Sequence, residues 1–322
     1  MLKLRRFSDK TTMARIWKKS SNYFRVKSYT DLCVRMSFSE YEVCGRENIP
    51  DDGLVIYAPN HCNTLMDALV VLAANRNATA FGARADIFHK PRVARLLRWM
   101  KILPIARARD GRDAVAGNLE IFDEVVDCIR NGVPFCIFPE GTHRTMHSIQ
   151  PLKKGVVKIA EMAAERQDRP VYIVPVGLDY EYYFTYMCKC RVSFGAPIEF
   201  HKGDDPTAML AELYRRISEL ILFFPDNEDY DIAYGAWKKE HPVKRNFSDF
   251  IAALLLLPVM LLCGAVCLPI LIVTAILIAR LKDKAWSNTV RFGVRFFFTP
   301  LIWVFHSGFY YSLYRYKKLF NK

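Results

Sequence analysis

His61 and Asp67 are the first residues in this sequence whose types and spacing suit catalysis. His61 follows the apolar run 54–57, which predicts a buried strand, and a helix is predicted to begin at Thr64. The histidine is therefore expected where a strand ends and a helix begins, which is where open α/β sheets bind their ligands. A nearby carboxylate fixes the tautomer of a histidine, so the pair suits a general base. Taken alone, a histidine in such a turn is more often structural.

A second polar turn follows another run typical of a buried strand, residues 134–138. Gly141 allows the backbone to approach a ligand closely, because it has no side chain. The amides of such a turn, together with a nearby arginine such as Arg144, are suited to hold an anion. A plain loop is the alternative. The whole turn reads Pro139-Glu140-Gly141-Thr142-His143-Arg144.

Strands and helices alternate over residues 50–225, which predicts an α/β domain with a mostly parallel sheet flanked by helices. Within the preceding part of the chain, residues 8–30 can form a basic helix that either lies in a membrane interface or packs on the domain. We predict four regions, which are a basic N-terminal segment over 1–50, the α/β domain over 51–225, a polar linker over 226–248 and a membrane-inserted helical region over 249–322.

The C-terminal region contains two long apolar stretches, residues 250–279 and 296–314. The first has thirty residues without a charge, whereas a membrane crossing needs about 20. Basic residues flank it on both sides, which disfavours moving either end across a membrane. Two ordinary spans, with residues 280–295 on the far side, are one interpretation. We predict instead a re-entrant hairpin of two half-helices with both ends on the cytosolic side, broken near Pro258, Gly264 and Pro269.

The net charge of +13 is concentrated at the two ends of the chain. Residues 1–35 carry ten Lys and Arg against two acids, and residues 280–322 carry nine against one. Basic segments beside apolar ones suit an anionic membrane surface, whereas nucleic-acid binding would need a basic face on the folded domain. We therefore predict a phospholipid bilayer as a partner and no nucleic acid.

The nine cysteines are scattered and lack the spacing of zinc ligands, so no metal site is predicted. Scattered cysteines without such spacing are typical of a protein that stays reduced and faces the cytosol. The N-terminus is not expected to be a signal peptide, because charged residues interrupt any apolar core there. The predicted location is a membrane, with the catalytic domain facing the cytoplasm.

Four blocks of this sequence resemble the glycerolphosphate acyltransferases of the plsC type, a family that includes lysophosphatidate acyltransferases. The blocks lie within residues 55–180, and the first and third at this separation are the specific part of the signal. In chain order they are Asn60-His61 with Asp67, the region 88–107 that ends in Leu103-Pro104-Ile105-Ala106-Arg107, the turn Phe138-Pro139-Glu140-Gly141-Thr142, and the run Val174-Pro175-Val176-Gly177-Leu178.

The resemblance implies that His61 takes the proton from an acceptor hydroxyl and that Asp67 orients His61. It also implies that the third block, residues 138–142, and Arg107, which closes the second block, bind the phosphate of the acceptor. The implied reaction moves a fatty acyl group from acyl-CoA or acyl carrier protein to 1-acyl-glycerol-3-phosphate, with no cofactor and no metal. The residues predicted to bind substrate are Asn60, Arg107, Glu140, Gly141, Thr142 and Arg144.

Two departures from the family pattern concern this site. Five residues separate His61 from Asp67, where four are usual. The longer spacing resembles the fungal glycerol-3-phosphate/dihydroxyacetone-phosphate enzymes, so those acceptors are the enzymatic alternative. His143 stands where the family usually has arginine. Either Arg144 substitutes for that arginine, or Arg107 binds the phosphate without it.

Two further alternatives differ in mechanism or in class. Cys62, beside His61, could form a covalent acyl-enzyme, although a cysteine that merely packs beside a site is more common. A membrane protein that binds lipid and has lost catalysis is the alternative outside the enzymes. The complete set of histidine, aspartate and Pro-Glu-Gly-Thr turn favours an active enzyme.

Overall fold

A computed structural model of the protein describes residues 16–106, 118–166, 169–241 and 247–320. An eight-stranded sheet forms its centre. The strands are β1 (Glu40–Cys44), β2 (Leu54–Pro59), β3 (Ala80–Arg84), β4 (Ile102–Ile105), β5 (Phe135–Cys136), β6 (Val171–Tyr180), β7 (Lys189–Phe194) and β8 (Ile198–Phe200). The helices are α1 (Ser21–Arg35), α2 (Leu65–Ala74), α3 (Pro91–Trp99), α4 (Asn118–Arg130), α5 (Gly155–Arg166), α6 (Pro206–Glu219), α7 (Tyr230–Glu240), α8 (Phe247–Ala279) and α9 (Ser287–Phe320).

The strand order in the sheet is β1-β7-β6-β2-β5-β3-β4, and β8 pairs with the first part of β6. β6 is antiparallel to β7 and β8, and the other pairings of the described strands are parallel. β2, in the middle, is buried at every position, as expected of a strand that helices cover on both faces. The predicted α/β fold with a mostly parallel sheet is confirmed.

Helices cover the sheet on both faces. On one face, α4, α5 and α6 contribute apolar side chains such as Val125 and Ile217 to a first core. On the other face, α1, α2 and α9 contribute Val34, Val70 and Tyr314 to a second core. Each helix of the domain turns one apolar stripe toward the sheet, which is why helical spacing of apolar residues predicted them. The C-terminal helix α9 is thus part of the core of the domain.

The α/β domain begins before the predicted boundary at residue 51. β1 pairs in parallel with β7, from Glu40 opposite Lys189 to Cys44 opposite Ser193. It is therefore an edge strand of the central sheet. Its residues are exposed or half-buried, so it lacks the continuous buried apolar run by which β2 was predicted.

Two other predicted segments differ from the structure. The predicted linker 226–248 contains α7, whose buried Tyr230 accepts a hydrogen bond from the His147 amide at 3.0 Å. Helix α7 therefore packs on the domain. The basic helix predicted over residues 8–30 is observed as α1, which begins at Ser21, and the residues before 16 lie outside the described ranges. The side chain of Ser20 caps α1 and fixes where it begins.

α8 is one continuous helix, with Pro258 and Pro269 inside it. The predicted break into two half-helices near these residues is therefore wrong. A proline removes one hydrogen bond of a helix and crowds the preceding turn. In an apolar segment, however, the remaining backbone groups are satisfied most readily by each other, so the helix continues through its prolines.

A sharp bend occurs instead in α9, between Arg295 and Ser307. Nη2 of Arg295 donates a hydrogen bond to Oγ of Ser307 at 2.8 Å. On a straight helix these residues would lie about 18 Å apart along the axis, which is farther than an arginine side chain reaches.

α9 packs against the α/β domain. The hydroxyl of Tyr314 donates to Oε2 of Glu181 at 2.9 Å, and the hydroxyl of Tyr29 donates to the carbonyl of Phe296 at 2.8 Å. The predicted membrane segment 296–314 therefore has one side on the domain. Its aromatic side chains fill a core, which a count of apolar residues does not distinguish from a lipid-facing surface.

α8 packs along α9 and exposes most of its large apolar side chains. Within the described ranges, Phe250–Ala279 is the one helix long and apolar enough to cross a membrane, by its length and composition. Its most apolar window is 17% buried, whereas a core helix of a soluble protein would be mostly buried. Insertion of this region into a membrane stays a prediction.

Candidate active site

His61 and Asp67 lie in contact just beyond the carboxyl end of β2. The Nδ1 atom of His61 is 2.8 Å from Oδ2 of Asp67. Because a carboxylate accepts, Nδ1 carries the proton and Nε2 of the neutral ring is unprotonated. No hydrogen bond from the described part of the chain engages Nε2. The His61 side chain is 18% exposed and Asp67 is fully buried, so the ring can take a proton from a substrate at Nε2.

Three further donors hold the Asp67 carboxylate. Oδ2 accepts from the amides of Cys62 at 2.8 Å and Asn63 at 2.7 Å, and Oδ1 accepts from the Tyr180 hydroxyl at 2.8 Å. A buried carboxylate needs such donors, because its desolvation is otherwise costly. The carboxylate is therefore oriented both by the turn after β2 and by the end of β6.

The turn between His61 and Asp67 accommodates its extra residue through an unusual backbone conformation. Thr64, immediately before α2, has φ 51° and ψ −127°, a combination that L residues rarely adopt. α2 begins at Leu65, so Asp67 lies in the first turn of the helix, where the helix dipole favours a carboxylate.

The second polar turn packs directly against His61. Oε1 of Glu140 accepts from the His61 amide at 2.6 Å, and Oε2 accepts from the Gln150 amide at 2.9 Å. The Arg144 amide donates to the His61 carbonyl at 3.0 Å. The Phe138 ring stacks on the His61 ring with centroids 4.2 Å apart. The second turn therefore fixes His61 by its backbone and by one face of its ring.

Two residues predicted to bind substrate have their polar atoms engaged by the protein. Burial raises the pKa of Glu140, against the hydrogen bonds that its carboxylate accepts from Gln150 and His61. The side chain of Asn60 accepts from the Leu178 amide at 2.7 Å and donates to the Leu178 carbonyl at 3.1 Å. These contacts tie the turn after β2 to its neighbours, and they favour positioning roles for Asn60 and Glu140.

Gly141 and Thr142 are exposed at the rim of the site. Gly141 has φ +74°, in the region that favours glycine. The Thr142 hydroxyl donates to Oε1 of Gln150 at 3.1 Å, and Nε2 of Gln150 donates to the Thr142 carbonyl at 2.8 Å. The turn is thereby closed on itself, and its exposed side is open to a ligand.

The structure describes one of the two predicted arginines. Nη1 of Arg144 lies 2.6 Å from Oδ2 of Asp226, so its charge is paired with a carboxylate from the predicted linker. Arg107 lies outside the described residues. The backbone of the preceding Ala106 is held by the side chain of Asn118 through two hydrogen bonds of 2.8 Å. β4, which precedes Arg107 in the chain, lies three strands from β2, which precedes His61. Three strand spacings amount to about 14 Å.

The environment of Cys62 does not favour its use as a nucleophile. Burial raises the pKa of the Cys62 thiol well above its ordinary value, and the nearby charge of Asp67 acts in the same direction. The thiol therefore stays protonated at neutral pH, whereas the attacking form is the thiolate. Among the described residues, no group of three or more His, Cys, Asp or Glu side chains could hold a metal ion.

Two residues of the site were not predicted, and a third had no predicted role. Tyr180 could have been found, because residues two apart on a strand share a face and Tyr180 follows Leu178 of the fourth block. The contact of Gln150 with Glu140 depends on how a loop returns to the turn, for which the sequence carries no signal. Phe138 belonged to the third block, and its stacking on the histidine appears only in the structure.

Comparison with known proteins identifies the family of the domain. Residues 40–179 match the family model described as acyltransferase. The chain is 30% identical over 139 residues to glycerol-3-phosphate O-acyltransferase 2 of Saccharomyces cerevisiae, a match that covers 39% of this chain and 19% of that protein. It is 24% identical over 163 residues to the chloroplastic 1-acyl-sn-glycerol-3-phosphate acyltransferase BAT2 of Brassica napus, covering 50% of this chain and 43% of that protein.

The protein is thus an α/β protein that carries an acyltransferase domain. Its residues 40–179 are similar to the plsC-type glycerolipid acyltransferases, as the sequence motifs predicted. The matched range contains both polar turns, and the chain spans less than half the length of the two curated relatives. Among solved structures, the lysophosphatidate acyltransferase PlsC of Thermotoga maritima is similar with a TM-score of 0.47 and 22% identity, covering 61% of this chain and 77% of that chain.

Proposed function

We propose that this protein is a membrane-bound O-acyltransferase that moves a fatty acyl group from an acyl thioester to a hydroxyl of a glycerolphosphate acceptor. The observation that carries the proposal is the 2.8 Å contact of His61 Nδ1 with the buried carboxylate of Asp67, inside an acyltransferase-family domain. Asp67 fixes the tautomer in which Nε2 is the base. Because both residues are present and in contact, an active enzyme is favoured over a lipid-binding protein without catalysis.

In the proposed reaction, the acceptor hydroxyl gives its proton to Nε2 of His61 while its oxygen attacks the carbonyl carbon of the thioester. The ring becomes an imidazolium, whose charge the buried carboxylate of Asp67 stabilises. The tetrahedral intermediate carries an oxyanion, which amides or side-chain donors of the site can stabilise. Collapse breaks the carbon–sulfur bond, and the leaving thiolate recovers the proton from His61. The products are the new ester and the free thiol.

The proposed donors are acyl-CoA and acyl carrier protein, both of which are anionic and cytosolic. The proposal therefore places the catalytic domain on the cytosolic side of a membrane. For the acceptor phosphate, we propose Arg107 together with the exposed turn at Gly141 and Thr142. An arginine presents a fork of donors that matches a phosphate, and turn amides add further donors.

The preferred acceptor is 1-acyl-glycerol-3-phosphate. α8 exposes large apolar side chains along its length, such as Leu255 at 69% and Leu262 at 62%. Contact of such a helix with a bilayer would bring a lipid acceptor to the site. The second candidate is glycerol-3-phosphate or dihydroxyacetone phosphate. It is favoured by the yeast relative, whose name is glycerol-3-phosphate O-acyltransferase 2, and by the five residues between His61 and Asp67.

The test is acyl transfer from radiolabelled acyl-CoA to a panel of acceptors, using membranes that contain the wild-type protein or its His61→Ala variant. Phosphatidate formed from 1-acyl-glycerol-3-phosphate by the wild type alone supports the preferred acceptor. Lysophosphatidate formed from glycerol-3-phosphate supports the second candidate. Equal transfer by the wild type and His61→Ala would refute the proposed function. Absence of transfer to every acceptor, with acyl-CoA and with acyl carrier protein as the donor, would refute it as well.

A further inference from the structure

His143 and Asp283 are in contact, although 140 positions separate them in the chain. Nε2 of His143 is 2.7 Å from Oδ2 of Asp283, in the loop between α8 and α9. The other oxygen of Asp283 accepts from the Ala285 amide at 2.9 Å and caps the short 3₁₀ helix Lys284–Trp286. Asp283 is therefore held by its own loop while it contacts the second polar turn of the acyltransferase domain.

The interhelical loop is docked on the active site by further contacts. The hydroxyl of Thr64, in the turn after β2, is 2.9 Å from the hydroxyl of Thr289 at the start of α9. The side chain of Asn288 donates to the carbonyl of Tyr183 at 2.7 Å. These contacts fix the start of α9 against the rim of the site, so the position of Asp283 is determined by the folded domain.

His143 lies beside the proposed base. Its ring meets the His61 ring edge to face, with centroids 5.7 Å apart, and it meets the Trp286 ring in the same manner with centroids 6.2 Å apart. The neighbouring arginine does not take this place, because the Arg144 guanidinium is paired with Asp226 at 2.6 Å. A cation at position 143 would therefore face the site directly.

We propose that Asp283 is a positioning residue of the acyltransferase site, which holds His143 as an imidazolium that binds the phosphate of the acceptor. This inference rests on the proposed function. A carboxylate within hydrogen-bond distance favours the charged form of a histidine, and an imidazolium is a hydrogen-bond donor at both nitrogens. With Nε2 donating to Asp283, Nδ1 is the donor that the ring offers to an anion. The loop between the C-terminal helices thus completes a site that lies otherwise in residues 40–179.

The charges around His143 agree with this role. The hydrogen bond from His143 holds the pKa of Asp283 below its ordinary value, so Asp283 is ionised at neutral pH. Among the described residues, the His61 ring, with Asp67 behind it, lies against His143, and Glu140 belongs to the same turn three positions earlier. Because a histidine loses its proton near neutral pH and an arginine does not, acceptor binding should weaken as pH rises.

The test is the dissociation constant of 1-acyl-glycerol-3-phosphate for the full-length protein in detergent, measured by calorimetry between about pH 5.5 and 8.5. This measurement requires no turnover, so its result is separate from that of the acyl-transfer assay. The phosphate of the acceptor titrates in the same range, and it does so equally for every variant. Each profile is therefore compared with that of His143→Arg, which carries a permanent cation at this position.

The dissociation constant of the wild type, relative to that of His143→Arg, is expected to rise with pH by at most about tenfold per pH unit. In Asp283→Asn the rise should begin at lower pH, and His143→Gln should bind weakly throughout. In turnover, these two variants should raise acceptor KM more than they lower kcat. The matched control is Asp123→Asn, which removes an exposed carboxylate paired with Arg166 on the helices α4 and α5.

Identical profiles for the wild type and His143→Arg would overturn the role of His143, and identical profiles for the wild type and Asp283→Asn would overturn that of Asp283. Thermal unfolding of each variant reports whether it folds. Both side chains are partly exposed, His143 at 27% and Asp283 at 50%, so these substitutions should leave the fold intact. Acceptor binding with the expected profile but without acyl transfer would refute the proposed function and keep the phosphate site.

Discussion

At the scale of single residues, the central feature is a histidine whose two ring nitrogens have different partners. Nδ1 of His61 faces the buried Asp67, which leaves Nε2 for the substrate. His61→Ala should lower kcat by at least about 10²-fold, because a positioned general base contributes this much or more. Asp67→Asn should lower kcat less but still clearly, through a wrong tautomer or orientation of the ring. Steady-state kinetics on purified, folded variants measure both effects.

The control for this pair is Cys62→Ala. The thiol is buried with a raised pKa, so most activity should remain after its removal. Full activity of His61→Ala would contradict the general-base mechanism. Complete loss of activity in folded Cys62→Ala would instead support a covalent acyl-enzyme.

A second prediction at this scale distinguishes the two arginines. Arg144 is paired with Asp226 at 2.6 Å, whereas Arg107 closes a block that the family resemblance associates with phosphate. Arg107→Ala should therefore raise the KM for the acceptor far more than the KM for the donor, and Arg107→Lys should restore little, because lysine lacks the fork of donors.

Arg144→Ala serves as the matched comparison, since it removes the same charge from the neighbouring turn. We expect it to change the acceptor KM much less than Arg107→Ala does. The reverse order would assign the phosphate to Arg144. Unchanged acceptor KM in both variants would leave a phosphorylated acceptor without support from either arginine.

At the scale of elements, one carboxylate joins the two polar turns. Glu140 accepts from the amides of His61 and Gln150 and is 3% exposed. Glu140→Ala should lower the free energy of unfolding by about 1–3 kcal/mol for each amide that stays without a partner. It should also lower kcat, because the backbone of His61 loses an anchor. Thermal unfolding and kinetics measure the two effects, and Glu161→Gln, at an exposed position of α5, is the control.

The same residue gives a pH dependence with a defined sign. Burial raises the pKa of Glu140 in the folded state above its ordinary value of 4.5. Its carboxyl group therefore stabilises the fold most below that value, and this contribution is lost as pH rises through the folded pKa. The Tm of the wild type minus the Tm of Glu140→Gln should be more positive at acidic pH than at neutral pH. A difference that grows toward neutral pH would contradict the raised pKa.

At the scale of the whole molecule, the C-terminal helices are attached to the active site by the loop between them. Because Asp283 contacts His143, this loop lies on the same side of any membrane as the catalytic domain. Single cysteines at Lys282 and Lys202, both exposed, should therefore react alike with a membrane-impermeant maleimide in sealed vesicles. The background is a chain whose nine native cysteines are replaced.

The buried Ser287, at 5% exposure, would be a poor site for this label. Two ordinary membrane spans, with residues 280–295 on the far side, make the opposite prediction. Labelling of Lys282→Cys only after permeabilisation, in vesicles where Lys202→Cys reacts at once, would establish that arrangement and would contradict the docked loop.

The sequence by itself determined the layout of the α/β domain and the identity of its two polar turns. Continuous apolar runs such as Leu54–Pro59 predict buried strands because helices cover both faces of the sheet. Parallel strands then bring their carboxyl ends to one edge, which places His61 near the Pro-Glu-Gly-Thr turn. These inferences succeed because each depends on local spacing and on residue type.

The tertiary structure decided what local patterns cannot encode. The positioning roles of Tyr180 and Gln150 depend on side chains that approach from distant parts of the chain. The edge strand β1 and the helix α7 interleave apolar with charged residues, and their places in the domain depend on the pairing of β1 with β7 and on the contact of Tyr230 with His147. The two C-terminal helices also have different surroundings, and the more apolar of them is the more exposed. α8 exposes its apolar side chains and α9 buries aromatic ones in the domain, because burial depends on which elements pack together and not on hydrophobicity alone.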